Sequence, residues 1–382
     1  MSSDRPFVSV TDIKPLALER GWDYRMAAPA SIQWQEISRT IPEEILDFLE
    51  HGEEDIATYC HIHGDKFERR AKHDARLHSV SPYEVPETFT CAIPGAEIVF
   101  RDGLVVTAEH EILVQALMQK TAMRAKYFFA RSRRNPYTCT SAGRHVSLLC
   151  FGADNYWHWL VDGLLRLALF PLGDTSFRVI IPANAPPFVR ATLRLLDISE
   201  ERLVEMDGRK ITVDELILAY PEAIAAKPKQ AHLLEHRRRL LAAAGVNPAV
   251  ATSSRLLYIS RAHATRRPIV NEAALWPVLR HYGFDIVRCE DLSVDEQITL
   301  FAEAKCVVGA HGAGFGNLLF APPGTILVEI FNRQLWVDCY QKMCGLLGHT
   351  HWHIFGETAS RENYLTRVDP HKLDQVLSYA LR

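Results

Sequence analysis

The chain has 382 residues, 48% of them hydrophobic and 23% charged, with a formal net charge of −3. That length exceeds one ordinary core, so two domains are expected, each with ample apolar surface to bury. The charge balance excludes a global basic field and with it a nucleic-acid partner, since Arg131-Ser132-Arg133-Arg134 and Arg237-Arg238-Arg239 are short runs that suit solvated faces.

The amino-terminal MSSDRPFVSV lacks a basic-then-apolar leader. Trp157 to Phe170 is the most apolar stretch, but His158, Asp162 and Arg166 interrupt it, and it falls short of the ~20 residues of a membrane span. The eight cysteines (60, 91, 139, 150, 289, 306, 339 and 344) form no CxxC pair, and Cys150, Cys289 and Cys306 sit in apolar, strand-like runs. They read as reduced core thiols, and the expected location is cytoplasmic.

In chain order, residues 1–90 read as an irregular extension with one short amphipathic helix over Ile41–Leu49. Ala96–Phe100 and Leu104–Thr107, separated by Arg101-Asp102-Gly103, predict a hairpin. From His145 onward strands and helices alternate. Strands are expected at 145–151, 177–181, 203–206 and 213–219, and helices at 155–170, 187–196 and 230–244. Gly245-Val246-Asn247-Pro248 and Ala251-Thr252-Ser253-Ser254 read as a linker. Beyond it come strands at 256–260, 284–288, 306–309, 325–331 and 352–355, helices at 271–282, 293–304, 316–321 and 335–347, and a last helix at 370–381. The expected fold class is therefore α/β: two Rossmann-type units, 91–248 and 249–360, with a cleft between them and a closing segment at 361–382.

Two patterns carry chemistry. On the 155–170 helix, Asn155, His158, Asp162 and Arg166 fall within an arc of roughly 80° on an otherwise apolar surface. A polar line on a buried helix needs partners or a ligand-filled cleft. His158 and Asp162, spaced i, i+4, suit a carboxylate-oriented general base, and a structural His–Asp–Arg network is the competing reading.

The second pattern is Cys306-Val307-Val308-Gly309 running into Ala310-His311-Gly312-Ala313-Gly314-Phe315-Gly316-Asn317. A strand, a glycine-rich turn and a helix start bring backbone N–H groups together where an anion can sit, although the turn matches neither a P-loop nor GxGxxG. An empty tight turn is the competing reading. Arg261, His263, Arg266 and Arg267 follow the strand ending at Ser260 and suit a diphosphate clamp. Glu329 is a candidate acceptor for ribose hydroxyls, or else a surface or helix-capping carboxylate.

These residues resemble glycosyltransferase family 61, the DUF563 group, which includes plant xylosyltransferases, animal O-linked N-acetylglucosaminyltransferases and bacterial members of the capsular-polysaccharide kind. The matching residues are Asn155-Tyr-Trp-His158-Trp-Leu-Val-Asp162-Gly-Leu-Leu-Arg166, Tyr258-Ile-Ser260-Arg261, Arg266-Arg267, Asn271-Glu272, Gly283-Phe284, Leu292-Ser293 and Gln297. His311-Gly-Ala-Gly314, Asn317-Leu-Leu-Phe320, Pro323-Gly324 and Glu329-Ile330 complete an ordered set over about half the chain. Gly316 departs from a common hydroxyl residue, and Leu165 from a frequent proline.

The resemblance implies a GT-B arrangement, an inverting mechanism and a nucleotide-sugar donor, UDP-sugar first. It also implies no required metal and no cofactor. The diphosphate is expected near Arg261, Arg266 and His311–Gly314, with Asn317 and Glu329 also on the donor side. His158 or Asp162 is expected as the base, with Asn155 and Arg166 lining the acceptor side or cleft. A glycan acceptor is the expected partner. Three other readings stand beside this one: a pyruvyl or phosphoglycosyl transferase on the same architecture, a sugar-binding module without chemistry, and a metallohydrolase using His349, His351 and His353 or His61 and His63.

Overall fold

The structure, a computed structural model, describes residues 10–33, 83–113, 138–220, 230–248 and 253–382, apart from isolated positions within those spans. The expected 41–49 helix, His61, His63 and Cys60 lie outside the described residues. The chain divides into two compact units, one holding residues up to 33 and 84–243, the other holding 244–382. None of the described helices is long and apolar enough to cross a membrane.

The first unit is built on one mixed sheet. Its strands are β1 (Val10–Thr11), β2 (Tyr24–Ala28), β5 (Thr88–Pro94), β6 (Glu97–Val99), β7 (Leu104–Val106), β8 (Ile112–Leu113), β9 (Thr138–Ser147), β10 (Arg178–Pro182), β11 (Leu203–Met206) and β12 (Lys210–Tyr220), while β3 (Ser31–Gln33) pairs with β4 (Tyr83–Val85). Four strands run parallel in the order β11-β10-β9-β12, and β5 and β6 join β12 antiparallel. The 97–99/104–106 hairpin forms as the alternating pattern predicts.

The amino-terminal segment is not irregular throughout. The Ile13–Arg20 helix buries Ile13, Leu16 and Ala17 at helical spacing, and β2 pairs with β5. These short strands escape sequence reading because their partners lie tens of residues away.

The second unit matches the expected alternation closely. Its strands are β13 (Arg255–Ile259), β14 (Asp285–Val287), β15 (Ala304–Ala310), β16 (Ile326–Asn332), β17 (Thr350–Ser360) and β18 (Leu365–Arg367). Five are parallel in the order β14-β13-β15-β16-β17, and β18 closes the edge antiparallel. The order reverses between β13 and β15, which is where open parallel sheets bind ligands, beyond the strands' carboxyl ends.

Even-numbered strand residues Tyr258, Val308, Val328, Trp352 and Ile354 pack with Leu275 and Leu279 of helix 272–282 and Leu373, Val376 and Leu377 of helix 370–380. Odd-numbered positions, including Glu329 and His351, point to the other face by the period of two. Ser293 and Glu296 start helix 294–302 with a capping box, worth about 1 kcal/mol. Cys289, expected in a strand, begins a 3₁₀ turn because β14 ends at Val287. The architecture is mixed α/β with parallel sheets, compatible with Rossmann-like units.

Candidate functional site

In the first unit, β9 leads through the Gly152–Asp154 turn into the segment carrying His158. It is not one α-helix: Tyr156–His158 is α, Trp159–Gly163 is π and Leu164–Leu169 is 3₁₀. Such π turns recur at functional positions. Asn155 caps the start, its Oδ1 accepting from the Trp157 and His158 N–H groups at 3.0 and 3.4 Å. Gly152 has φ +72°, and a Cβ there would press on the His158 ring at 3.0 Å, so the turn fixes the imidazole from one side.

His158 Nδ1 lies 2.6 Å from Asp162 Oδ2. Asp162 is buried, and its other oxygen, Oδ1, is enclosed without a hydrogen-bond partner. Burial raises its carboxyl above the ordinary range, while the hydrogen bond and charge of His158 pull the other way. Arg166 donates to the Ser147 and Leu149 carbonyls at 2.8 and 3.0 Å, so it ties the segment to the end of β9. Asn155 and Arg166 were expected to line a cleft. In the structure the Asn155 Oδ1 caps the helix start and the Arg166 Nη1 serves the strand-end carbonyls, and both side chains are partly exposed.

In the second unit the residues after β13 and β15 meet at the strand-order reversal. Buried Glu272 holds the end of β13, accepting from Tyr258 and Ser260 hydroxyls at 2.9 Å and from the Arg261 N–H at 3.3 Å. Arg261 then lies over Gly312, where any Cβ would collide with its guanidinium. It donates to the Arg266 carbonyl at 2.7 Å, and its Nε is enclosed without a partner. Arg267, at φ +59°, also has an enclosed, unpartnered Nε. Burial weakens the charged form of both, and their mutual repulsion adds to this at Arg261.

Among the described residues neither Arg261 nor Arg267 is paired with a carboxylate. Arg266 is different: it is exposed, with its guanidinium over the Tyr364 ring at 5.9 Å. Burial thus groups Arg267 with Arg261 and leaves Arg266 exposed, a difference the sequence alone does not show.

The glycine turn is braced from below. Asn317, expected among the donor contacts, is fully buried and donates to Gln297 Oε1 at 2.7 Å and the Gly314 carbonyl at 3.1 Å. Gly314 packs against Cys289 and Ile259, Ala313 is partly exposed, and the following helix is a seven-residue 3₁₀ segment. Tyr340 donates its hydroxyl to the Gly312 carbonyl at 2.7 Å.

His311 Nδ1 meets Glu329 Oε1 at 2.5 Å, and His351 Nε2 meets Glu329 Oε2 at 2.8 Å. Glu329 is completely buried, so it is neither a surface carboxylate nor a direct acceptor for ribose hydroxyls. Burial opposes its ionisation, but the hydrogen bonds and charges of the two histidines outweigh that and hold the carboxyl below its usual range. His349 is engaged separately, by the Leu318 carbonyl. Tyr340 was not singled out from the sequence, and His351 was named there only as a metal-ligand alternative with His349 and His353. The alternation His351-x-His353 places both rings on one strand face, where His351 meets Glu329 and not a metal-ligand set with His349.

Comparison with known proteins bears on both clusters. The family described as Glycosyltransferase 61 matches residues 156–328, just under half of the chain. The EGF domain-specific O-linked N-acetylglucosamine transferase of Drosophila melanogaster is 28% identical over 96 residues, which is 25% of this chain and 18% of that protein. The chain is thus similar to well under two thirds of that relative's length. Both matches support a glycosyltransferase, and the family likeness spans the His158–Asp162 pair and the Arg261/His311–Gly314 turn.

Proposed function

We propose that this chain is an inverting glycosyltransferase that moves a sugar from a nucleotide-sugar donor to a hydroxyl group without a divalent metal. One observation carries the reading. Arg261 and Arg267 are two partly buried guanidinium groups with no carboxylate partner among the described residues, set where the parallel strand order reverses. Such groups call for an anion, and a diphosphate matches their fork geometry and charge. As the glycosidic bond breaks, the nucleoside diphosphate gains charge, and fixed guanidinium groups stabilise it as a metal does elsewhere.

In the same reading, His158 takes the proton from the acceptor hydroxyl through Nε2, with Nδ1 held by Asp162. Asp162 is the reserve base, its buried carboxyl being shifted toward proton acceptance. A single displacement at the anomeric carbon inverts its configuration. A UDP-sugar is the first donor to test, and a surface glycan made in the cytoplasm is the first acceptor class. The name of the Drosophila relative points to a protein hydroxyl as the second.

The experiment is a thermal-shift panel of UDP, GDP, CMP and dTDP with their sugars, followed by release of free nucleotide in the presence of acceptors. One nucleoside diphosphate raises Tm, and His158→Ala keeps its affinity within about twofold while turnover falls roughly 10²-fold. Equal loss of binding and turnover in His158→Ala contradicts the base assignment. Stabilisation by none of the nucleotides contradicts the donor site.

A further inference from the structure

The donor reading leaves a buried cluster behind the glycine turn unexplained. Glu329 is fully enclosed, and both of its carboxylate oxygens are taken by histidines. A buried carboxylate in a core is costly unless its partners do something for the fold or the site.

The partners differ. His351 directs Nε2 at Glu329, and its Nδ1 is enclosed with no hydrogen-bond partner. His353, two residues on, is pushed down to about 3 by burial and carries no charge to share. His311 is arranged the other way. Its Nδ1 faces the carboxylate, its ring stacks on Phe331 at 5.4 Å and meets Tyr340 at 5.2 Å, and its backbone N–H is tied to the Ile330 carbonyl. Unlike the enclosed His351 Nδ1, the His311 Nε2 is not among the sealed-in unpartnered atoms. Three sides of the ring are fixed, and the remaining nitrogen belongs to the residue adjoining Gly312, on which Arg261 lies.

We propose that Glu329 and His351 are positioning residues for His311: a buried brace that takes the Nδ1–H and presents Nε2 to a phosphate oxygen of the donor at the strand-order reversal. This inference rests on the donor reading and deepens it. With an ionised carboxylate behind the ring and a phosphate in front, both ring nitrogens donate, and His311 joins Arg261 and Arg267 as the third group on the diphosphate. The contacts that hold the cluster together are the hydrogen bonds of His311 and His351 to Glu329. The matched stretch, residues 156–328, stops well short of His351.

The test is a double-mutant cycle on the full chain, with UDP, GDP or dTDP as probe, whichever the wild type binds. Glu329→Gln removes the charge and one hydrogen-bond acceptor at nearly constant volume. Loss of such a supporting partner typically costs 10-fold or more in affinity, so Kd is expected to rise about tenfold. His311→Asn costs at least as much, and the double variant is no worse than His311→Asn alone. Losses that multiply, or an unchanged Kd in Glu329→Gln, overturn the brace. If Glu329→Gln fails to fold, His351→Gln takes its place in the cycle, with a smaller loss expected in the wild-type background and none in His311→Asn. Nitrogen-15 spectra of histidine-labelled, nucleotide-free protein give an independent reading: the resonance lost in His311→Asn carries its hydrogen on Nδ1. A hydrogen on Nε2 alone overturns the brace. Failure of every nucleotide to bind contradicts the donor reading, and the spectra still decide the brace.

Discussion

Arg261, Arg266 and Arg267 stand within seven residues of one another, yet the fold gives them different tasks. Arg261 is pinned over Gly312 by the Glu272-held end of β13. The turn that follows puts Arg267 in the left-handed region and draws its side chain inward, while Arg266 lends its carbonyl to Arg261 and rests on Tyr364. Arg267→Gln should therefore raise the Kd for the bound nucleoside diphosphate about tenfold or more, the share of one charge-assisted pair, whereas Arg266→Gln should change it less than about twofold. Calorimetric titration of the two variants checks this, and the reverse ranking contradicts the assignment. Gly312 belongs to the same argument: the guanidinium occupies the space a Cβ would need, and glycine is the residue without one.

At the scale of elements, helix 230–243 illustrates a buried group that serves no site. His236 sits on its core face with Leu233, Leu240 and Leu241, fully buried, and burial, with Arg239 nearby, pushes it down to about 3 from an ordinary 6.5. Between those values the unfolded chain binds a proton that the native state refuses, so stability falls as pH drops from about 6.5 toward 3, by up to about 1.4 kcal/mol per unit. His236→Leu should lose about 2 kcal/mol less than the wild type between pH 7 and 5 in urea titrations. Identical pH dependence contradicts the argument.

Elements were largely legible in the sequence where apolar runs are long and their partners follow in order. The parallel strands of the second unit fall within a few residues of expectation, except that β17 runs longer than its apolar core, and the short antiparallel β18 was not expected. Pairing order was not legible, because strand periodicity says nothing about neighbours, and the reversal between β13 and β15 gives the arginines their meaning. The His158 segment was legible as buried with a polar line, but its π and 3₁₀ turns were not, since they follow from packing. A Cβ at Gly163 would come within 3.0 Å of the Leu148 carbonyl, which shows how closely the segment lies against the chain after β9. Glu329 was legible only as a carboxylate at a strand end. That it faces His351 depends on the register of β16 against β17, which pairs Glu329 with His353 and sets His351 diagonally.

At the scale of the whole chain, each of the two units supplies one piece of chemistry. The first offers a carboxylate-oriented imidazole just after a parallel strand, the second a cationic turn at a strand-order reversal. The family likeness runs through both, from residue 156 to 328. The central claim is that a nucleoside diphosphate binds the second unit where the loops after β13 and β15 meet. Hydrogen–deuterium exchange of the full chain, with and without the nucleotide that raises its Tm, tests this directly. Protection is predicted in residues 260–268 and 311–317 and is lost in Arg261→Ala. Nucleotide binding that leaves both segments unprotected would contradict the account.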